Sequence, residues 1–182
     1  RYCAIPMFGH DTIQKFTKNV SGMKKLAARD FEDMLQCTIP CFEGLLDDED
    51  NEIILNLLFE LITWNTLAKL GVHTESTVSD LEGSITCLGT TLCRFECITC
   101  SKYVTDKLPS EETAHKGAVA KGKGKEKGKG KDGPQIRKLN LSTVKLHVLG
   151  DYPHYIRCVV STDNHSTWTV SCTMILLEFL LI

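Results

Sequence analysis

The sequence predicts an all-α protein, a bundle of about four main helices interrupted by a long disordered Lys/Gly-rich loop. Three observations lead there. Val78, Leu81, Ile85, Leu88, Leu92 and Phe95 are spaced 3, 4, 3, 4, 3, the period of one face of an α-helix. Two earlier segments carry apolar stripes of the same helical period, and no segment alternates apolar and polar residues as a half-buried strand does. Finally, "AHKGAVAKGKGKEKGKGKDGPQIRK" interleaves Gly and Lys. Such a stretch has no apolar face to set against chain entropy and charge repulsion.

Taken in order, residues 1–20 are expected to form a lead-in helix and residues 21–112 the bundle. The segment 24–46 places Ala27, Phe31, Met34, Leu35, Phe42 and Leu45 on one stripe. Pro40 has no N–H and crowds the preceding turn, so this helix should kink or split near Ile39. The acidic run "DDEDNE" then feeds a helix N-terminus, where the dipole favours negative charge. That helix, 51–70, turns Ile54, Leu57, Leu58, Leu61, Trp64, Leu67 and Ala68 inward, with Gly71 as a candidate C-cap. The strongest stripe lies on a helix over 75–101. Ser79 and Glu82 have capping-box spacing, with Thr74 or Ser76 as the alternative start. Fewer than three heptads favour packing in a bundle over a coiled coil. The basic low-complexity loop covers 113–138. A returning helix and polar segment cover 139–169, the helix at 142–158 with Val144, Val148, Tyr152, Tyr155 and Ile156 inward. Gly150 and Pro153 predict a bend at "GDYP".

The composition, 42% apolar with a formal net charge of −2, suits one ordinary globular domain. The near-neutral total conceals a division. Lys116 to Lys138 holds nine Lys/Arg against two acids, a local +7 that leaves −9 for the rest. An acidic body thus carries a basic loop. "RYCAIPMFGHDTIQKF" lacks the apolar stretch of a secretory leader, so an intracellular protein is expected, and nine cysteines read as free thiols or metal ligands rather than disulfides. The start at Arg1 suggests an incomplete reading frame.

Several groups could carry chemistry. Cys93, Cys97 and Cys100 fall at i, i+4 and i+7, with Cys87 a further turn back. Three thiols on one face could ligate zinc with a fourth ligand from elsewhere; buried cysteine is also a common small apolar residue. Cys37 and Cys41 share i, i+4 spacing. His147 near Asp151 could serve acid–base chemistry or be a half-buried helical side chain with a satisfied N–H. "GKGKEKGKGK" is no P-loop, since it lacks the Gly-Lys-Ser/Thr ending and a preceding strand. Its lysines, Lys121, Lys123, Lys125, Lys127, Lys129 and Lys131, together with Arg137 and Lys138, are the candidate nucleic-acid contacts. They would neutralise phosphates without reading sequence. With no interleaved aromatics there is no base-stacking platform. The same tract reads as a nuclear-localisation patch or as a solvated linker.

Two blocks carry a family resemblance. "FTKNVSGMKKLAARDFEDMLQCTIPCFEGLL", followed by "LLFELITWNTLAKLGVHTESTV", forms the first, and "LNLSTVKLHVLGDYPHYIRCVVSTDNHST" the second. In this order they resemble the carboxy-proximal part of the Plavaka-type transposon proteins of mushroom-forming fungi, relatives of the KDZ group of cut-and-paste transposases. The resemblance covers most of Phe8 to Thr167, and the family tolerates variable basic insertions where the Lys/Gly loop stands. It implies a transposase, with a divalent metal such as magnesium in the intact protein. In that family the run like "STDNHST" leads into Gly-Glu-Leu-Glu-His-Arg, which by analogy could supply the last carboxylate of an acidic triad. Here "VSCTMILLEFLLI" replaces it, and two-metal cleavage needs several carboxylates.

That apolar tail, 170–182, is too short to span a bilayer, which takes about 20 residues. Val170-Ser171 can be encoded by GTAAGT, the favoured start of a spliceosomal intron, so the tail is expected to be translated intron; the competing readings are a membrane-associating tail and an extra core helix. The expected function is a transposase-like fragment without catalysis or cofactor of its own, a scaffold with weak, non-specific DNA-backbone contact. The competing expectations are a helical interaction domain, a degenerate relic, and residual metal-dependent nicking near Asp151 and Asp163.

Overall fold

Asp48–Ala68 forms the long central helix of the molecule. The computed structural model describes residues 1–7, 9, 13–20, 23, 26–103, 105–106 and 136–159, and the fold is all-α. In chain order the helices on this side of the molecule are α1 (Ala28–Gln36), α2 (Thr38–Phe42), α3 (Asp48–Ala68), α4 (Glu75–Arg94) and, after a π-helical turn over Phe95–Thr99, the short α5 (Cys100–Lys102). A two-residue antiparallel ladder follows, β1 (Thr105–Asp106) against β2 (Ile136–Arg137). The chain returns through α6 (Val144–His147), a 3-10 turn over Val148–Asp151, and α7 (Tyr152–Val159). The basic tract between the two strands and the tail beyond Val159 lie outside the described residues, and with them the expected disordered loop.

The core sits between α3 and α4. Ile53, Ile54, Leu57, Leu58, Leu61, Trp64 and Ala68 from α3 meet Val78, Leu81, Leu88 and Leu92 from α4, all buried. Each large side chain removed from water contributes about 1.5–3 kcal/mol, so this seam is the main source of cohesion. Ile85 and Leu67, expected inside, are half-buried. α1 and α2 close one side with Phe31, Met34, Leu35, Cys37, Cys41 and Phe42. α7 closes another: its Tyr152 ring meets Trp64 edge-on at 6.2 Å between centroids.

Several boundaries differ from the sequence expectation. The first helix begins at Ala28, and its break falls at Cys37, not Ile39. Pro40 therefore stands in the first turn of α2, where a missing N–H costs nothing because no intrahelical acceptor awaits it. Ala27 and Leu45 lie outside the helices and are exposed. After α2 the chain reverses at Gly44, whose φ of +64° is a left-handed conformation that favours glycine. α3 starts inside the acidic run rather than after it and ends at Ala68 with Lys69 as its C-cap, so Gly71 is not the cap.

Thr74 is the N-cap of α4. Its hydroxyl accepts from the Thr77 N–H at 3.3 Å, and Thr77 Oγ1 accepts from the Thr74 N–H at 2.9 Å. Ser79 and Glu82 lie well inside the helix. No lead-in α-helix occurs among the described residues of 1–20, which hold a 3-10 turn at Tyr2–Ala4. That segment is tied to α1 instead: Tyr2 Oη donates to the Met34 carbonyl at 3.3 Å, and Gln14 Nε2 donates to Asp30 at 2.7 Å. The bend predicted at "GDYP" is the 3-10 turn. It resets the helical phase, so Val144 and Tyr155 are exposed while Leu149, Tyr152, Pro153 and Ile156 are buried.

Candidate functional site

The root of the basic tract is the best-defined polar structure in the molecule. It forms where the end of α4 meets the start of α3. Continued past Phe95, the 3-and-4 spacing of the α4 stripe reaches Thr99 and then Lys102. Both are polar, and both face the same group. The Asp50 carboxylate, in the first turn of α3 and almost inaccessible to water, accepts from Thr99 Oγ1 at 3.1 Å and from Lys102 Nζ at 3.1 and 3.2 Å. Tyr103 Oη donates to it at 3.4 Å. Glu49 stands 3.5 Å from the same ammonium.

Burial alone would raise the Asp50 pKa. The hydrogen bonds from Lys102, Thr99 and Tyr103, with the Lys102 charge, outweigh it and hold the carboxyl below its ordinary value of 3.8. The Asp50 bonds raise Lys102 in turn. Two residues beyond this latch the chain enters β1, and β1 pairs with β2 at Thr105↔Arg137 and Asp106↔Ile136. The chain running toward the basic tract and the chain returning from it are thereby paired.

An acid titration tests the latch. A carboxyl whose folded pKa lies below its unfolded one stabilises the fold above the unfolded value, and that contribution is lost as pH falls through the folded one. Asp50→Asn is expected to flatten the loss of stability below about pH 4, read from urea midpoints as a function of pH. An acid limb identical to the wild type would show that Asp50 is not the paired carboxylate described.

A second ionic group fastens α7 to α4. Arg157 Nη1 donates to Glu82 at 2.5 Å, and Nη2 and Nε donate to Glu75 at 2.6 and 2.9 Å. The Arg157 bond draws the Glu82 carboxyl below its usual range, and the two carboxylates raise the guanidinium further. Exposed pairs contribute little individually; this fork sets the register of α7 on α4.

The residues singled out from the sequence are scattered. Lys121, Lys123, Lys125, Lys127, Lys129 and Lys131 lie outside the described residues, Arg137 is in β2, and Lys138 is exposed. His147 is exposed, not half-buried, and so is Asp151; Asp163 lies outside the described residues. Cys87, Cys93 and Cys97 are exposed and Cys100 is half-buried, so the thiols of α4 and its π turn are not core residues. Burial, and then Glu96, push the Cys100 thiol up to about 11. The buried thiols are Cys37 and Cys41, both raised by desolvation. All eight described cysteines are free.

Among the described residues no three His, Cys, Asp or Glu side chains converge on a point where a metal could sit. No described helix is long and apolar enough to cross a membrane. Asp50 escapes sequence reasoning because its partners lie far along the chain, Lys102 at the end of α5 and Tyr103 just after it. The signal within reach was Thr99, a polar residue at the next position of an apolar stripe. A comparison with protein-family models, with curated proteins and with solved structures finds no match to this chain.

Proposed function

We propose that the chain is a fragment of a transposon-encoded, transposase-like protein that acts as a helical scaffold. On this reading it does no strand cleavage alone and contacts DNA backbone weakly, without sequence preference, through its basic tract. The observation that carries the reading is the separation of charge, +7 between Lys116 and Lys138 against −9 elsewhere. The β1–β2 pairing supports it, because the chain leading toward that tract lies beside the chain returning from it. A tethered run of lysines displaces counterions from phosphates, and an acidic body discourages nucleic acid from binding elsewhere. The resemblance of the flanking blocks to Plavaka-type proteins supplies the transposon context. The divalent metal belongs to the intact transposase in this reading, and a nuclear location would follow from the same basic tract.

Replacing Lys121, Lys123, Lys125, Lys127, Lys129 and Lys131 together with glutamine tests it. The wild type should bind a fluorescent duplex with log affinity falling linearly against log salt, by about 0.9 for each phosphate neutralised. The substituted chain should lose both the binding and the slope while its helical signal is unchanged. Equal binding by the two chains would overturn the proposal.

A further inference from the structure

The outer face of α7 carries His154 and Cys158, one helical turn apart and both exposed. Their donor atoms, His154 Nε2 and Cys158 Sγ, stand 3.7 Å apart. A tetrahedral zinc ion with Zn–N of about 2.0 Å and Zn–S of about 2.3 Å spans about 3.5 Å between those atoms. The pair therefore already has the bite of the metal. Neutral imidazole and thiolate are also donors that zinc prefers.

The helix holding the pair is anchored. Tyr152, Pro153 and Ile156 are buried on its other face, and Arg157, between the two donors, is bound to Glu75 and Glu82. Those carboxylates neutralise the Arg157 charge beside the site. Little ordering is then needed when a metal arrives. No other described cysteine has an equivalent partner. Cys37, Cys41 and Cys100 have thiols raised by burial, Cys3 Sγ donates to the Lys18 carbonyl, and for Cys87, Cys93 and Cys97 no histidine contact is found among the described residues.

We infer that His154 and Cys158 form a bidentate zinc site on the outer face of α7, with solvent in the two remaining positions. Imidazole coordinates as the neutral ring through Nε2. The thiol gives its proton to buffer as the Zn–S bond forms, so one proton leaves for each ion bound and affinity rises with pH. No electron is transferred. With only two protein donors the ion exchanges readily, and it strengthens the last described helix by cross-linking one of its turns.

Cobalt(II) titration of the full chain tests this, with zinc as competitor. The wild type should develop a thiolate-to-cobalt charge-transfer band that zinc abolishes. Cys158→Ser should remove the band, and His154→Ala should weaken cobalt binding at least about tenfold, the loss typical of even an outer-shell partner. Cys93→Ser/Cys97→Ser should leave it in place. In the wild type the paramagnetic ion should broaden the His154 ring resonances before those of the other five histidines, a readout that needs no variant to fold. A band indifferent to His154→Ala, a band lost with Cys93 and Cys97, or broadening of another histidine first would each overturn the site.

Discussion

Replacing Trp64 with alanine is expected to lower the unfolding free energy by about 3–5 kcal/mol. Trp64 is fully buried in the last quarter of α3, and its ring takes the edge of Tyr152 from α7. The substitution therefore opens a cavity on the seam and removes the aromatic contact that seats the returning helix. Its indole Nε1 has no hydrogen-bond partner in the structure, so loss of that group offsets a little of the cost. For a chain of this size the melting temperature should fall on the order of 10 °C. Thermal unfolding followed by circular dichroism measures it. A loss under about 0.5 kcal/mol, the level of an ordinary surface change, would mean that Trp64 is not interior.

The second large effect is a contrast between neighbours. Leu58→Ala should cost about 2–5 kcal/mol, whereas Phe59→Ala should stay within about 0.5 kcal/mol of the wild type. Leu58 is 0% exposed and Phe59 is 59% exposed. The larger side chain thus matters less, because a helix turns 100° between the two positions and only one faces α4. Urea midpoints of the two variants decide it. Equal losses, or a larger loss at Phe59, would require α3 to be rotated about its axis.

The pair also shows why α3 was harder to read than α4. In α4, polar residues separate the apolar ones, and six hits on a single template point to a single face. α3 reads Ile53, Ile54, Leu55, then Leu57, Leu58, Phe59, then Leu61, Ile62, so apolar residues surround much of the helix. Periodicity names the buried stripe there but does not exclude Phe59 from it. The choice is made by where α4 lies. The same holds for the returning segment: Val144 and Tyr155 fit a continuous helix, but the 3-10 turn over Val148–Asp151 adds a rotation that the pattern of letters does not contain.

The candidate sites divide in the same way. The basic tract is visible from composition alone, and so is its opposition to an acidic body. The i, i+4 spacing of His154 and Cys158 was equally present in the sequence, yet spacing did not single it out from the cysteine pairs of α2 and of the α4 end. What distinguishes it is the 3.7 Å separation of the donor atoms on a helix held by Arg157. The Asp50 latch was invisible, since its members are separated by 49 to 53 residues.

By itself the sequence determined the helical class, the main apolar seam and the placement of charge, because each follows from the order of neighbouring residues and the 3.6-residue period. Only the tertiary structure decided which polar groups meet: Asp50 with Thr99, Lys102 and Tyr103, and Arg157 with Glu75 and Glu82. Such meetings depend on how whole helices are stacked, and a local pattern carries no record of the partner that a side chain will find across the bundle.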